Sequence, residues 1–225
     1  NGGEREAATA ARNASLTPQR ESAEVLRLRE TIDRSLVDHD FRKTLAAAAA
    51  LTEHLPSDVA ALFAKSDAHL ELGEVEAAEA ALQRVLDLKP CPSAYIRAGY
   101  LLHLRGDDER AIEVFGLAGS ALQPTDSERR AWVSTELGEI CRTSGRQDAA
   151  ERHYRLALQL QPRSPKATLG LARLAWSRGE LDSAALGYEN AGASPADLGE
   201  LALIYTELGR DAAARRALAR AQALG

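Results

Sequence analysis

The stretch ELGEICRTSGRQDAAERHYRLALQLQP, residues 136–162, decides the fold because its skeleton recurs along the chain. Gly145 divides the stretch into two segments whose apolar residues return at helical spacing. A glycine between two such segments suits the left-handed backbone conformation that ends a helix. The stretch therefore predicts two helices joined by a tight turn. The same pattern returns around four other glycines: Gly73, Gly106, Gly179 and Gly209.

The spacing of these five glycines is regular. They lie 33, 39, 34 and 30 residues apart. Nine residues after each glycine stands a leucine or an aromatic residue, and five residues after it stands an alanine: Ala78, Ala111, Ala150, Ala184 and Ala214. One period before Gly73, His39 and Thr44 take the glycine and alanine positions, which predicts a sixth, degenerate copy. A helix pair cannot bury its apolar face alone, so we expect the copies to stack and Ala78, Ala111, Ala150 and Ala184 to be buried.

One set of spacings carries a family resemblance. It is the order small residue, glycine, alanine, aromatic, alanine and proline found at Gly138, Gly145, Ala150, Tyr154, Ala157 and Pro162. This order resembles the tetratricopeptide repeat, over about residues 25–225. The resemblance implies an all-α fold, a right-handed superhelical solenoid of about six antiparallel helix pairs whose first helices line a concave groove. Members of the family mostly bind segments of other proteins and are not enzymes.

The period also predicts the organisation of the chain. We expect a single solenoid over residues 19–225, preceded by residues 1–18 as a polar N-terminal tether or capping segment. The predicted units are approximately 25–58, 59–91, 92–130, 131–164, 165–194 and 195–225. The longest spacing predicts a longer first helix in the fourth unit, capped near Thr125. The shortest predicts that the fifth unit ends at Ala191, with Gly192 as its cap and Ser194 capping the next helix.

Composition excludes several classes of function. The net charge is −5 and no basic run occurs, so nucleic acid is not an expected partner. No stretch approaches the roughly 18 apolar residues of a membrane span. The histidines, cysteines and serines form no recognisable ligand or nucleophile motif, so we expect no cofactor, metal or catalytic site. Cys91 and Cys141 lie about one repeat apart and are expected to be free thiols.

Two weaker features concern origin and location. Arginine greatly outnumbers lysine, which we interpret as the codon bias of a bacterial genome. The sequence opens NGGEREAATAARN and contains no methionine. A removed leader would fit an exported, periplasmic or lipoprotein location, which we favour slightly over the cytoplasm for a soluble protein. An arbitrary boundary is the alternative.

The candidate site is the face of each first helix that points away from its partner helix. In residues 132–144, Leu137, Gly138 and Cys141 form the stripe predicted to be buried, and the opposite stripe is predicted to be exposed. Burial of the tryptophans between helices is the alternative. Applied to three successive first helices, this reasoning gives a partner-binding groove of eight residues: Tyr100, His103, Trp132, Glu139, Arg142, Lys166, Arg173 and Trp176.

The residue types of this groove suggest its use. Tryptophan, tyrosine and arginine dominate interface hot spots. A basic cluster in an acidic chain predicts a protein or peptide partner with acidic and apolar groups, and we expect the arginines to stack on the tryptophans. The chaperone-binding carboxylate clamp of the family uses asparagines, and none lies on this stripe.

The leading hypothesis is therefore a non-enzymatic protein–protein interaction scaffold. It would bind a peptide or protein segment in the concave groove, in bacterial envelope assembly or secretion. The alternative is an accessory module of a larger enzyme or multi-subunit machine whose catalytic part lies outside this chain. Self-association through the ends of the solenoid stays open.

Overall fold

A computed structural model describes residues 22–192 and 194–224, and the expected tether over residues 1–18 lies outside this range. Within the described residues the chain forms twelve α-helices and no strand, as predicted. The helices fall into two compact units, which divide between Leu88 and Lys89.

The first unit contains four helices that pack consecutively. Ser22, Asp40 and Asp58 begin three of them, and each of these side chains accepts a backbone N–H from the first turn. The buried core includes Leu51 and Leu62. The four helices are α1 (Ala23–Val37), α2 (Phe41–His54), α3 (Val59–Glu71) and α4 (Val75–Leu88).

The turn between α1 and α2 confirms the degenerate copy of the repeat. His39 has a φ of +56° and is the only non-glycine residue with positive φ in the described chain, so it adopts the conformation that glycine takes in the other copies. Thr44 replaces the alanine and is fully buried. Its hydroxyl lies 2.8 Å from Ser35 Oγ and 3.1 Å from the Asp40 carbonyl oxygen, so the polar side chain is satisfied.

The second unit contains eight helices in four consecutive pairs. Each pair is joined at a glycine with φ between +69° and +78°: Gly106, Gly145, Gly179 and Gly209. Ala78, Ala111, Ala150 and Ala184 have no exposed surface, as predicted, and Ala214 is 6% exposed. The eight helices are α5 (Pro92–Leu104), α6 (Asp108–Ala121), α7 (Ser127–Thr143), α8 (Gln147–Leu160), α9 (Pro165–Ser177), α10 (Leu181–Ala191), α11 (Pro195–Glu207) and α12 (Asp211–Leu224).

The two irregular spacings change helix length. Helix α7 has 17 residues and begins after Asp126, whose carboxylate accepts the Arg129 N–H. The cap is thus one residue later than the predicted Thr125, because the Asp126 carboxylate is the group that accepts a backbone N–H of the first turn. Helix α10 has only 11 residues and ends at Ala191, before Gly192 with φ +75°. Ser194 and Asp197 then form a capping box, which confirms the predicted start of α11.

A ladder of arginines connects the second helices of the second unit. Each arginine stands beside a turn glycine and reaches the second helix of the preceding pair. Exposed ion pairs contribute at most about 1 kcal/mol, so the ladder specifies register more than stability. The pairs are Arg146–Glu109 at 2.7 Å, Arg178–Glu151 at 2.7 Å and Arg210–Asp182 at 2.8 Å.

Candidate protein-binding face

The first helices of the second unit, α5, α7, α9 and α11, present what we call the first-helix face. Helix α7 contacts α9 directly, so the exposed side chains of the two helices adjoin on this face. Two cavities open on this face. The Trp132 cavity has a volume of about 310 Å³ and is lined by Trp132, Thr135, Ser164 and Lys166, among others. The Trp176 cavity has a volume of about 520 Å³ and is lined by Arg142, Arg173, Trp176, Ser177 and Glu200.

Trp132 is anchored on one side and open on the other. Its ring centroid lies 6.4 Å from that of Phe115, a fully buried residue of α6. The side chain nevertheless remains 42% exposed, so it does not pack as core between helices. Lys166, at the start of α9, places its Nζ 2.6 Å from Glu136 Oε1 of α7 and closes one side of the cavity.

Trp176 is partly buried and is oriented by two neighbours. It meets Tyr188 edge to face, with ring centroids 6.5 Å apart and an interplanar angle of 84°. Its indole N–H donates to Glu207, at 3.2 Å from Oε1 and 3.4 Å from Oε2. We expected arginines to hold the tryptophan rings. A tyrosine and a carboxylate orient Trp176 instead, because its indole N–H needs an acceptor that no guanidinium can supply.

Beneath the Trp176 cavity, a buried tyrosine reaches the first-helix face from α8. Tyr154 has no exposed surface, and its hydroxyl donates to Glu139 Oε2 at 2.6 Å. Arg142 donates to both oxygens of the same carboxylate, at 2.5 and 3.1 Å. Burial alone would raise the pKa of Glu139, but the hydrogen bonds from Arg142 and Tyr154 outweigh it and lower that pKa to about 2. Glu139 is therefore ionised at neutral pH and holds the Arg142 guanidinium in place.

A second tyrosine makes the corresponding contact from α10. The hydroxyl of buried Tyr188 donates to Glu200 Oε2. Burial and this bond raise the pKa of Tyr188 above its usual value, so the phenol stays protonated. Arg173 places Nε 3.1 Å from Glu200 and Nη2 3.2 Å from Asp197. Arg173 thus connects α9 to two positions on α11.

The predicted basic cluster is not what the structure presents. Lys166, Arg142 and Arg173 are each paired with a carboxylate on the same face. Glu139, the partner of Arg142, was part of the predicted groove, but the other two acids were not, because Glu136 lies beside the predicted stripe and Glu200 belongs to a first helix that the stripe did not include. Their charges neutralise the surplus of positive charge on which the expectation of an acidic partner depended.

Tyr100 and His103, on α5, lie outside both cavities. Tyr100 is 45% exposed. His103 Nδ1 lies 2.7 Å from Asp108 Oδ1, while the Ser144 hydroxyl donates to Asp108 Oδ2 at 2.6 Å. The Ser144 and His103 contacts lower the pKa of Asp108 below its usual value. Asp108 therefore links the turn ends of α5, α6 and α7 through His103 and Ser144, and His103 does not line either cavity.

The remaining chemical groups offer little reactivity. Cys141 is buried, and burial raises the pKa of its thiol, which disfavours the reactive thiolate. Over residues 22–192 and 194–224, no three histidine, cysteine, aspartate or glutamate side chains converge as metal ligands would. None of the described helices combines the length and apolar character needed to cross a membrane.

Comparison with known families matches the repeat. A family model described as tetratricopeptide repeat matches residues 38–90, 63–121 and 135–197, which together make up more than half of the chain. The chain belongs to the tetratricopeptide repeat family. A search of curated proteins finds no match.

Several solved structures share the tetratricopeptide repeat fold with this chain. PilW, described as a widely conserved type IV pilus biogenesis factor, is 19% identical, with 90% of this chain and 94% of that chain covered and a TM-score of 0.77. PilF of Pseudomonas aeruginosa is 16% identical, with 86% and 88% covered and a TM-score of 0.74. MamA is 19% identical, with 71% and 91% covered and a TM-score of 0.62. At these identities the likeness establishes the all-α tetratricopeptide repeat fold alone.

Proposed function

We propose that this tetratricopeptide repeat chain is a non-enzymatic interaction scaffold that binds a segment of another protein on the first-helix face of residues 89–225. The observation that carries the proposal is the pair of cavities built around Trp132 and Trp176. A partly exposed tryptophan in a cavity, with polar groups at its rim, is the usual composition of a binding hot spot. The family, whose members mostly bind other proteins, supports the same role.

The spacing of the two cavities bears on the shape of the bound segment. Trp132 and Arg142 are ten residues apart on α7, which corresponds to about 15 Å along the helix axis. The two cavities therefore open towards opposite ends of α7. An extended chain covers about 3.4 Å per residue, so a segment with two anchoring side chains four or five residues apart would fill both.

We further propose that the scaffold is an exported bacterial protein that works in the assembly of an envelope or secretion machine. The likeness of its fold to PilW and PilF, the first of which is described as a pilus biogenesis factor, supports this setting. An accessory module of a larger machine would use the same face, and full-length gene structure would separate the two cases.

Affinity capture with matched variants tests the binding face. The variants are Trp132→Ala and Trp176→Ala, and the control is Leu186→Ala, which removes a 58% exposed leucine from the second helix α10. We expect each tryptophan variant to weaken a captured partner's Kd by about 30-fold, corresponding to about 2 kcal/mol. The control should leave Kd unchanged. Equal binding by all four proteins would contradict the proposal.

The stability of the variants must be measured beside binding. Trp176 packs partly against the core formed by Tyr188 and Leu198, so we expect Trp176→Ala to lower the free energy of unfolding by about 1–2 kcal/mol, less than a fully buried tryptophan would. Such a loss leaves most of the molecules folded, and a change in Kd then reports the surface itself.

A further inference from the structure

We infer that the segment bound at the Trp176 cavity presents a basic side chain, arginine or lysine, to Trp176 and Glu207. This inference rests on the proposed function and specifies the chemistry of its partner. It also replaces the acidic partner that residue types alone predicted.

The balance of charge around the cavity favours a cation. Two guanidinium groups, those of Arg142 and Arg173, pair with three carboxylates, and a fourth carboxylate accepts the indole N–H of Trp176. The surroundings of the cavity therefore carry two negative charges in excess, within a chain whose net charge is −5. A negative surface attracts cations during encounter and repels an approaching carboxylate. The four carboxylates are Glu139, Asp197, Glu200 and Glu207.

Both arginines of the cavity are already hydrogen-bonded to carboxylates. Arg142 directs Nε and Nη2 to Glu139, and Arg173 directs Nε and Nη2 to Glu200 and Asp197. The charge of each guanidinium is thus already compensated by charge-assisted bonds, which are among the stronger ones in proteins, and an incoming carboxylate would be repelled by the carboxylates that accept them. The cavity is therefore poorly suited to an anion although two arginines line it.

The carboxylate of Glu207 also favours a basic side chain. This carboxylate accepts the indole N–H of Trp176, and no cation in the described part of the chain pairs with it. An unneutralised carboxylate thus lies at the edge of an indole ring whose orientation Tyr188 already fixes. A cation within about 6 Å of the ring gains from the negative face of the indole, and the same cation can pair with the carboxylate beside it.

Peptide binding observed at the two tryptophans tests the inference. The chain has two tryptophans, so its two indole N–H resonances report the two cavities separately, and Trp132→Phe and Trp176→Phe assign them. The probes are three peptides, acetyl-Gly-Leu-Gly-Gly-Ser-Xaa-Gly-amide, in which Xaa is arginine, glutamine or glutamate. We expect the arginine peptide to shift the Trp176 signal and to bind about tenfold more tightly than the glutamate peptide at low salt, with glutamine between them.

Two variants locate the preference. Glu207→Gln removes the carboxylate beside Trp176, and it should reduce the advantage of the arginine peptide to about threefold or less. Glu76→Gln makes the same change of net charge at an exposed glutamate on α4 in the first unit, and it should leave that advantage intact.

The outcomes separate the inference from the proposed function. Tighter binding of the glutamate peptide at Trp176, or an arginine preference that Glu207→Gln leaves untouched, would overturn the inference while the binding face stands. If none of the three peptides moves either indole resonance, the proposed function fails, and the inference fails with it.

Discussion

Tyr154 and Tyr188 occupy the same position in successive repeats, nine residues after the turn glycine, yet they find their carboxylates in different places. Both side chains are buried, and both hydroxyls donate to a glutamate that also binds an arginine. For Tyr154 the glutamate is Glu139, on the first helix of the same repeat. For Tyr188 it is Glu200, on the first helix of the next repeat. One contact is internal to a repeat, and the other ties two repeats together.

The difference follows from what each ring packs against. Tyr154 lies against Gly170, where a Cβ atom would be 2.3 Å from its Cζ. Glu200 stands at the equivalent position of the following repeat, nine residues before the turn glycine. No side chain fits at Gly170, so the acid for Tyr154 must come from its own repeat. A buried phenol needs an acceptor in every repeat, but the repeat that supplies it is free to change.

Gly170→Ala should break this arrangement with the largest effect. The added methyl group would collide with the Tyr154 ring. The ring cannot move aside, because on its other side it lies so close to Gly138 that a Cβ built there would be only 2.6 Å away. We expect the free energy of unfolding to fall by about 2–3 kcal/mol, measured by urea denaturation.

The control for this variant is Gly199→Ala on α11, where an added Cβ meets nothing within 4 Å. Alanine is the better helix former, so this substitution should stabilise the chain by up to about 1 kcal/mol. Similar effects of the two substitutions would show that Tyr154 does not require both glycines.

Protonation of Glu139 at low pH should lower the free energy of unfolding by an intermediate amount. Its folded pKa of about 2 lies below its ordinary value of 4.5, so its contribution is complete above pH 4.5 and is lost as pH falls towards 2. We expect this contribution to be on the order of 2 kcal/mol, since the side chain keeps some contact with solvent.

Urea denaturation of the parent chain and of Glu139→Gln between pH 2 and pH 6 measures this contribution. It appears as a difference between the two slopes of unfolding free energy against pH. The Glu139→Gln variant should be less stable at neutral pH and should lose less stability on acidification than the parent chain. Parallel curves for the two proteins would argue against the depressed pKa.

Removal of the tyrosine hydroxyls should have the smallest effect on the free energy of unfolding. It is also the most direct test of the difference between Tyr154 and Tyr188. Tyr154→Phe and Tyr188→Phe should each cost about 1 kcal/mol, since the glutamates keep their arginines. Hydrogen exchange should distinguish them. Loss of the Tyr188–Glu200 contact should speed amide exchange in α11 and α12, whereas loss of the Tyr154–Glu139 contact should not. Equal changes in the last two helices would refute the division into internal and connecting contacts.

The sequence was sufficient for those features that depend on neighbours along the chain. Turn glycines need positive φ, and the period found even His39, which adopts that conformation without being glycine. The alanine position is equally local, because it faces the partner helix one turn after the glycine. The fold and the burial of the repeat alanines could therefore be read from spacing.

The candidate face was predicted only in part, because its contacts between successive first helices join residues that are 24 to 31 positions apart in sequence. Periodicity indicates which stripe of a helix is exposed, but not which side chain of the next repeat reaches it. Lys166 and Trp176 were found in this way, while their partners Glu136 and Glu207 were not. A signal was nevertheless present in Tyr154 and Tyr188, since a buried phenol implies an acceptor nearby.

The arginine ladder of the second helices has a consequence for how such a chain grows. Each arginine of the ladder lies at the turn of one repeat and forms an ion pair with an acid of the repeat before it. These arginines are Arg146, Arg178 and Arg210. Each of the last three copies thus carries the arginine that binds it to the copy before it, and a tandem duplication of one of these repeats would duplicate that ion pair as well. The chain can be lengthened by unequal recombination, or by an engineer who inserts a cassette, without inventing a new joint at either end.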